Sequence, residues 1–247
     1  MSIIRLTSVD KAFGTGTDAV TALDSVHLDI EPGEFVCLIG ASGCGKSTIL
    51  NLVAGLEVPS SGTIDVDGRV AMMFQESALF PWLTVAENIQ LPMRLAGIGK
   101  TQRAARAREL IGTVKLDGFA AKRPHQLSGG MRQRAALARA FAQDADILLM
   151  DEPFGALDAM TRDVLHEELD ELVRARGLTV LFVTHNVREA ARLADRIVVM
   201  SPRPGRVTAE FSVDIERPRR IDTPAVSALA RTVTDQLRDE ALAHAHR

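Results

Sequence analysis

Residues 35–47 read FVCLIGASGCGKS, a continuous apolar run followed at once by a glycine-rich loop. The run at 35–39 is typical of a strand buried on both faces of a parallel sheet. The loop from Gly40 to Ser47 matches the pattern Gly-x-x-x-x-Gly-Lys-Ser in full. Helix-forming residues continue from Lys46 to about residue 54, where Gly55 predicts a stop. This order of strand, loop and helix predicts a binding site for phosphate.

The residue types of this loop suit a phosphate anion. Glycines allow the backbone N–H groups to turn inward, and the following helix directs its partial positive charge at the same point. Lys46 adds a positive charge at the β- and γ-phosphates, and the Ser47 hydroxyl is placed to bind Mg²⁺. The alternative interpretation is a glycine-rich structural turn that binds nothing.

Composition and charge limit the class of protein. The chain has 247 residues, 46% of them hydrophobic, and a net charge of −3. That length suits one large domain or a domain with an inserted lobe, and that charge predicts no nucleic-acid partner. No apolar run approaches the roughly 20 residues that span a bilayer, and the N-terminus does not resemble a secretory signal. Cys37 and Cys44 are too close along the chain for a structural disulfide to be expected, which indicates a reducing cytosol.

Strand and helix patterns alternate along the rest of the chain. Strands are predicted at residues 3–9, 22–30, 147–150, 180–183 and 197–200. Two further strands, 63–66 and 70–74, are expected to form a compact hairpin around Asp67-Gly68. Residues 84–142 carry only helical patterns, with helices at 101–114 and 131–142. Another helix ends at Gly177, and its apolar face holds Val164, Leu165, Leu169, Leu172 and Val173.

The repeated strand–helix–strand order predicts an α/β fold with parallel strands and right-handed crossovers. We expect a P-loop NTPase core, a RecA-like mixed sheet flanked by helices, with an antiparallel β subdomain. The helical lobe, about 84–142, would be inserted in a core domain at 1–215. A C-terminal extension, 216–247, begins with Arg217-Pro218-Arg219-Arg220. Its helical spacing of Val226, Leu229, Val233 and Leu237 predicts one amphipathic helix.

Charged and polar residues follow several of the apolar strands. Asp151 and Glu152 come directly after 147–150, where carboxylates are normally avoided. With a phosphate loop upstream, Asp151 suits an acid that holds Mg²⁺ through water, and Glu152 suits a general base for the attacking water. The alternative for Asp151 is a helix N-cap. His185 follows 180–183, and it either serves the structure or hydrogen-bonds the γ-phosphate or the water.

The order of the motifs resembles that of the ATP-binding subunits of ABC transporters. The likeness covers residues 3–215 and rests on Phe13, the loop 40–47, Gln75, Leu127-Ser128-Gly129-Gly130, Asp151-Glu152 with Ala156-Leu157-Asp158, and His185. It implies that two copies enclose two ATP molecules head to tail. Each ATP would contact the phosphate loop of one copy and the Leu-Ser-Gly-Gly of the other, whose helix start offers free N–H groups. An ordinary Ser-capped helix start is the alternative for residues 128–130.

The resemblance assigns roles residue by residue, with ATP and Mg²⁺ as the bound groups. The catalytic residues would be Lys46, Glu152 and His185. The nucleotide would be bound by Phe13, Gly40, Ala41, Ser42, Gly43, Cys44, Gly45, Lys46, Ser47, Thr48 and Gln75, and from the second copy by Ser128, Gly129, Gly130 and Asp158. Mg²⁺ would be bound by Ser47, Gln75 and Asp151, the last through water.

Two stretches look like the nitrate, sulfonate and taurine importer group: residues 151–162 and 201–207, the last with Arg217-Pro218-Arg219 downstream. Residues 75–85 carry an apolar loop with Trp82, and in importers that region contacts the membrane permease. This likeness implies a subunit on the cytoplasmic face of the membrane that drives import of a small anion, working with a permease and indirectly with a solute-binding protein. An importer for an unrelated small molecule and a soluble ABC ATPase are the alternatives. For Trp82 the alternative is a core position, and for the arginine–proline stretch the alternative is a solvated linker.

Four residues depart from the usual family pattern. Phe13 stands where Tyr is common, Met131 where Gln is usual, Gly155 where Ser is common and Asn186 where Asp is common. None of them is a residue predicted to bind phosphate, to bind Mg²⁺ or to act as the general base. We therefore expect an active site, with Met131 removing a polar contact to the partner-bound nucleotide.

Overall fold

The structure, a computed structural model, describes residues 2–14, 16, 19–155 and 157–245, so the predicted Ala156 lies outside the described residues. The strands are β1 (Ile4–Phe13), β2 (Val20–Ile30), β3 (Phe35–Gly40), β4 (Ser61–Val66), β5 (Val70–Met73), β6 (Ile147–Asp151), β7 (Thr179–Val183), β8 (Arg196–Met200) and β9 (Val207–Ser212). The helices are α1 (Lys46–Val53), α2 (Val85–Leu95), α3 (Lys100–Thr113), α4 (Gly129–Phe141), α5 (Ala159–Arg176), α6 (Val187–Leu193) and α7 (Pro224–Ala245). None of these helices is both long and apolar enough to cross a membrane.

The chain divides into two compact units, the first formed by Met1–Gly68 with Gly177–Arg247 and the second by Arg69–Arg176. In the first unit β1 pairs antiparallel with β2 and β4. Here β3 also runs parallel to β7 and β8, and β9 pairs antiparallel with β8. All six residues of β3 are buried, as its apolar run predicts. The sequence prediction missed β9, whose alternation of half-buried and exposed residues is typical of a strand covered on one face.

The second unit contains β5, β6 and helices α2 to α5. Strands β5 and β6 are parallel, with Val70 opposite Ile147. Helix α4 contacts α2, α3 and α5 and also β5, so it is the centre of this unit. The lobe predicted at 84–142 falls inside the unit, while the domain limits at 215 and 216 stay a prediction. On α5 the expected apolar face is wrong at Val164, which is 40% exposed, whereas Leu165, Leu169 and Val173 are buried.

The predicted hairpin between residues 63–66 and 70–74 is wrong. Strand β4 pairs with β1, and β5 pairs with β6. The side chains explain the difference, because 70–73 is wholly apolar, with Ala71 and Met73 buried, and suits a parallel pair. Residues 63–66 alternate polar and apolar side chains, a pattern that suits an antiparallel sheet with one solvent-exposed face.

The arginine–proline stretch is a structural clamp, so the alternative of a solvated linker is wrong. Arg219 is 8% exposed. Its guanidinium donates to the carbonyls of Ile215 at 2.7 Å and Val213 at 2.8 Å, and also to that of Ala194. Arg217 donates to the Leu193 carbonyl at 2.7 Å and to Asp195 at 2.8 Å. Both arginines thus satisfy carbonyls at the C-terminal end of α6, the end that attracts cations.

Helix α7 follows this clamp and packs against α6. Val226, Ala230 and Val233 are buried at helical spacing, and the intervening positions are more exposed. Helix α7 thus occupies most of the segment in which the sequence predicts one amphipathic helix. Its apolar stripe stabilises the first unit through burial of these side chains.

Candidate nucleotide site

The phosphate loop joins the end of β3 to the start of α1. Gly45 precedes the helix in the left-handed region at φ +100°, where a side chain would be strained. A Cβ at Gly45 would also lie 2.5 Å from Leu23 Cδ2, so the second glycine of the motif is required by shape as well as by conformation. Lys46 is buried, and its ammonium donates to the carbonyls of Gly40 and Ala41, each at 2.9 Å. The loop is therefore folded around the Lys46 charge.

The exposure of the loop residues matches a site that opens to a ligand. Ala41, Ser42, Gly43 and Ser47 are exposed, and Thr48 is half-buried. Within the loop, the Cys44 side chain is buried, at 1% exposure. Both cysteines are free thiols, so the expectation of no disulfide is confirmed. Burial is the largest cause that raises the pKa of the Cys37 thiol well above its ordinary value.

His185 ends up at the same edge of the sheet as the phosphate loop. Strands β3 and β7 are parallel neighbours with Leu38 opposite Val183, so Gly40 and His185 both follow at the carboxyl ends. His185 is exposed there. Asn186 caps α6, because its side-chain oxygen accepts from the backbone N–H of Arg188 at 3.1 Å and of Glu189 at 3.4 Å. The departure from Asp at position 186 therefore keeps the cap.

The second unit brings the acids and Gln75 to one edge in the same way. Parallel β5 and β6 place Met73 opposite Met150. Gln75 therefore follows β5 at the edge where Asp151 ends β6. Asp151 and Glu152 are half-buried, and Glu152 has φ +42°, in the left-handed region. A non-glycine residue there costs about 1–3 kcal/mol and is commonest at functional sites.

The Leu-Ser-Gly-Gly motif forms the start of α4, as predicted. Ser128 is the N-cap, and its Oγ accepts from the Met131 N–H at 3.2 Å. A Ser-capped helix start is thus present, which leaves the N–H groups of Gly129 and Gly130 among the first-turn donors that need a partner from outside the helix. The hydroxyl that accepts this bond still has a proton to donate.

Residues 157–161 lie against this helix start. A Cβ at Gly129 would meet Leu157 Cδ2 at 3.5 Å, and one at Gly130 would meet Thr161 Cγ2 at 2.6 Å. Asp158 is exposed and accepts from Thr161, at 3.0 Å from the N–H and 2.7 Å from the hydroxyl. The backbone bond, followed by the hydroxyl bond, lowers the pKa of Asp158. Two groups of residues assigned to the partner's ATP are therefore neighbours in the fold.

Helix α4 also holds the segment after Gln75. The side-chain amide of Gln133 donates to the Gln75 carbonyl at 3.0 Å. Arg139 donates to the carbonyls of Ala78 at 2.7 Å and Ser77 at 3.1 Å, and burial lowers its pKa. A cavity of about 510 Å³ lies beside these bonds; it is lined by Gln75, Glu76, Ser77, Gly129, Arg132, Gln133 and Leu157. Helix α4, which begins at the Leu-Ser-Gly-Gly motif, is thus tied directly to Gln75 and the segment after it.

The loop at 80–84 displays aromatic side chains. Trp82 is 66% exposed and contacts Phe80 at 5.4 Å between ring centroids, so a core position for Trp82 is wrong. Asn88 is fully buried and fixes the loop. Its oxygen accepts from the Phe80 N–H at 2.8 Å, and its amide donates to the carbonyls of Phe80, Leu83 and Thr84 at 3.0–3.2 Å. A rigid, exposed aromatic surface suits contact with another protein.

Phe13 ends β1, in the first unit. It is 42% exposed, so its ring is available for stacking on a base. The Lys11 ammonium lies 4.8 Å from the ring centroid. The same ammonium is 2.8 Å from Glu57. A cation at one face of the ring leaves the other face for a partner.

Sequence reasoning missed Asn88, Gln133 and Arg139. Each is a polar residue on a helix, where such residues are usually solvent-facing. Their partners are carbonyls of segments up to 62 positions away, which no local pattern identifies. The weak available signal was the compact polar Asn88 at helical spacing from the apolar Val85 and Leu91 on α2.

Known proteins resemble this chain over most of its length. Residues 23–155 match the family described as "ABC transporter". The taurine import ATP-binding protein TauB of Burkholderia pseudomallei (strain 1710b) is 46% identical over 217 residues, 85% of this chain and 84% of that protein. The nitrate import ATP-binding protein NrtD of Synechocystis sp. is 43% identical over 220 residues, 86% of this chain and 83% of that protein.

A solved structure of the ATP-binding cassette MJ0796, in a dimeric post-hydrolysis state bound to ADP and Pi, matches with a TM-score of 0.78. It is 34% identical and covers 86% of this chain and all of that one. The chain belongs to the ABC transporter family, as an ATP-binding subunit that hydrolyses ATP. The family and the P-loop fold predicted from the motif order are therefore confirmed.

Proposed function

We propose that this chain energises an importer for small anions of the nitrate, sulfonate or taurine type. The observation that carries the nucleotide part is the phosphate loop, in which a buried Lys46 lies on the carbonyls of Gly40 and Ala41. The import part is supported by the relatives, whose names specify taurine and nitrate import. ATP binding would close a dimer of two copies, and hydrolysis would reopen it.

In the proposed reaction a water oxygen attacks the γ-phosphorus while the bond to the bridging oxygen of ADP breaks. Glu152 accepts the proton of that water. Lys46 and the loop N–H groups stabilise charge on the phosphate oxygens, and His185 donates to the γ-phosphate or orients the water. Phe13 stacks on the base. The products are ADP, phosphate and a proton that leaves Glu152 for solvent.

The residues also suit Mg²⁺, which supplies charge that neutralises the phosphate oxygens when it is bound. Among the described residues no group of three His, Cys, Asp or Glu side chains could hold a metal by itself. That fits Mg²⁺ bound with a nucleotide, because this ion takes one or two protein ligands plus phosphate oxygens and water. Ser47, Gln75 and, through water, Asp151 are the proposed holders.

The proposed dimer gives a role to the start of α4, where Ser128 is exposed, Gly129 half-buried and Gly130 buried. Ser128, Gly129 and Gly130 would donate to the γ-phosphate of ATP held by the partner copy, and Asp158 would contact the same nucleotide site. Support comes from the dimeric state of the related cassette MJ0796. The close approach of Gly130 to Thr161 further supports joint action of the α4 start and Asp158, because it fixes the position of one segment relative to the other.

The proposed membrane partner is a permease that binds around residues 75–85. The exposed Trp82 and Phe80 would provide the contact, and the bonds of Gln133 and Arg139 would relay its movement to α4. With this partner the subunit would lie on the cytoplasmic face of the membrane. A solute-binding protein would act through the permease and select the anion.

The test of the proposed hydrolysis step is ATP turnover by the Glu152→Gln protein. We expect a loss of at least about 100-fold in kcat, because general-base catalysis contributes roughly 10²–10⁴-fold, with ATP binding retained. Glu171→Gln, an exposed carboxylate on α5, is the matched control and should turn over normally. Wild-type turnover by Glu152→Gln would exclude Glu152 as the base.

A further inference from the structure

Residues 201–206, which we term the clasp, form a tight turn after β8. The Ser201 N–H donates to the Arg206 carbonyl at 2.9 Å. The Ser201 hydroxyl donates to the Pro204 carbonyl at 2.9 Å and accepts from the Arg206 N–H at 3.0 Å. The sequence identified this stretch as typical of one importer group but gave it no role. Its internal bonds make it a rigid element.

The clasp is fastened to β2. The Gly205 N–H donates to the Ala22 carbonyl at 2.9 Å, and the Asp24 N–H donates to the Gly205 carbonyl at 3.0 Å. Arg206 adds an ion pair to the Asp24 carboxylate. The other side of the clasp meets the phosphate loop, since a Cβ at Gly205 would lie 2.0 Å from the Cys44 carbonyl oxygen. Only glycine permits this approach, so the clasp and loop are packed backbone to backbone.

Arg203 extends from the clasp to the tip of the phosphate loop. Its Nε lies 3.4 Å from the Gly43 carbonyl oxygen, a long hydrogen bond. One of its terminal nitrogens would be 3.5 Å from a Cβ at Gly43. The neighbouring Arg206 is paired with Asp24, but within the described ranges no carboxylate pairs with Arg203. An exposed guanidinium that pairs with no carboxylate of the described residues therefore lies beside the loop proposed to bind polyphosphate.

We propose that Arg203 is a second cation of the phosphate site, a positioning residue that holds the loop through Gly43 and strengthens binding of the nucleotide's polyphosphate. Two effects act in the same direction. A charged donor on the Gly43 carbonyl polarises the Gly43–Cys44 peptide and strengthens the donation of the Cys44 N–H to the Ala41 carbonyl, a bond of 3.2 Å inside the loop. The positive charge of the Arg203 guanidinium also attracts the negatively charged phosphate oxygens of a nucleotide bound nearby. The proposal rests on the assignment of residues 40–47 to nucleotide phosphate.

The test is calorimetric titration with the magnesium complex of a non-hydrolysable ATP analogue and with MgADP. Arg203→Gln should raise Kd for the analogue roughly threefold to tenfold, the range for one partly exposed charged contact, and less for MgADP. Arg203→Lys should restore Kd to within about twofold, because it keeps the charge. The dependence of log Kd on log salt concentration should be shallower in Arg203→Gln, since one charge contact is lost.

Two further variants complete the experiment. Arg220→Gln removes a cation of the same unit that pairs with Asp222 instead, and its Kd should be unchanged. Lys46→Ala should abolish binding. If Lys46→Ala binds the analogue normally, the phosphate-site assignment itself fails. If Lys46→Ala loses binding and Arg203→Gln does not, only the role of Arg203 is refuted. Equal weakening by Arg203→Gln and Arg203→Lys with an unchanged salt slope would also refute it, because packing alone would explain that result.

Discussion

Replacement of Gly130 by Ala tests whether the start of helix α4 and residues 158–161 are held in register by steric contact. The new methyl would lie 2.6 Å from Thr161 Cγ2, against the 3.4 Å at which ordinary contact begins. Thr161 cannot easily move away. Its χ1 angle is restricted by branching at Cβ, and its N–H and hydroxyl both donate to Asp158.

Two opposing terms set the size of the effect. Overpacking of this kind costs about 1–3 kcal/mol. Replacing Gly by Ala inside a helix gains up to about 1 kcal/mol. We therefore expect Gly130→Ala to lower the free energy of unfolding by roughly 0–2 kcal/mol. Thr161→Ser removes the clashing methyl and keeps the hydroxyl, so in the double variant the cost should disappear, with a coupling energy of about 1–3 kcal/mol.

The assay is urea unfolding of the wild type, the two single variants and the double variant. Gly129→Ala is the matched control, since its methyl would meet Leu157 Cδ2 at an ordinary 3.5 Å and should be tolerated. A coupling energy below about 0.5 kcal/mol, the usual additivity error, would refute the steric contact. An equal cost for Gly129→Ala would refute it too, because glycine would then matter for another reason.

Two further predictions concern the aromatic loop and the thiols. Asn88→Leu removes four hydrogen bonds and should lower the free energy of unfolding by about 2–4 kcal/mol, measured as a lower urea midpoint. The fluorescence anisotropy of Trp82, the single tryptophan, should also fall. An unchanged anisotropy would contradict the anchoring role of Asn88. Cys37 and Cys44 should not react with Ellman's reagent at about pH 8 until the protein unfolds, because both side chains are buried. The raised pKa also keeps Cys37 a neutral thiol. Rapid labelling of either thiol in the native protein would refute this prediction.

The local elements were largely predictable because their signals are short-range. The apolar run at 35–39, the glycine-rich loop and the helix after it correspond to β3, the loop and α1, with ends within a residue or two. The start of α4 was predictable for the same reason, since Ser128 can cap only the helix that directly follows it. Buried strands β6, β7 and β8 were predictable from continuous apolar runs.

Pairing between strands was less predictable, because an apolar strand does not specify its neighbour. Residues 63–66 and 70–74 read as a hairpin from the Asp67-Gly68 turn, yet β4 pairs with β1 and β5 with β6. Strand β9 was missed, although its partner β8 was predicted. Turn chemistry is a local property, while pairing depends on which faces must be buried.

By itself the sequence determined the class of protein, the phosphate loop and the residues proposed to act on ATP, because motif chemistry depends on residue type and spacing along the chain. Only the tertiary structure decided what supports them. It placed Arg203 of the clasp on Gly43, Gln133 and Arg139 of α4 on the loop after Gln75, and Thr161 against Gly130. These contacts join segments distant in sequence, and their strength comes from burial and packing geometry, which no local pattern encodes.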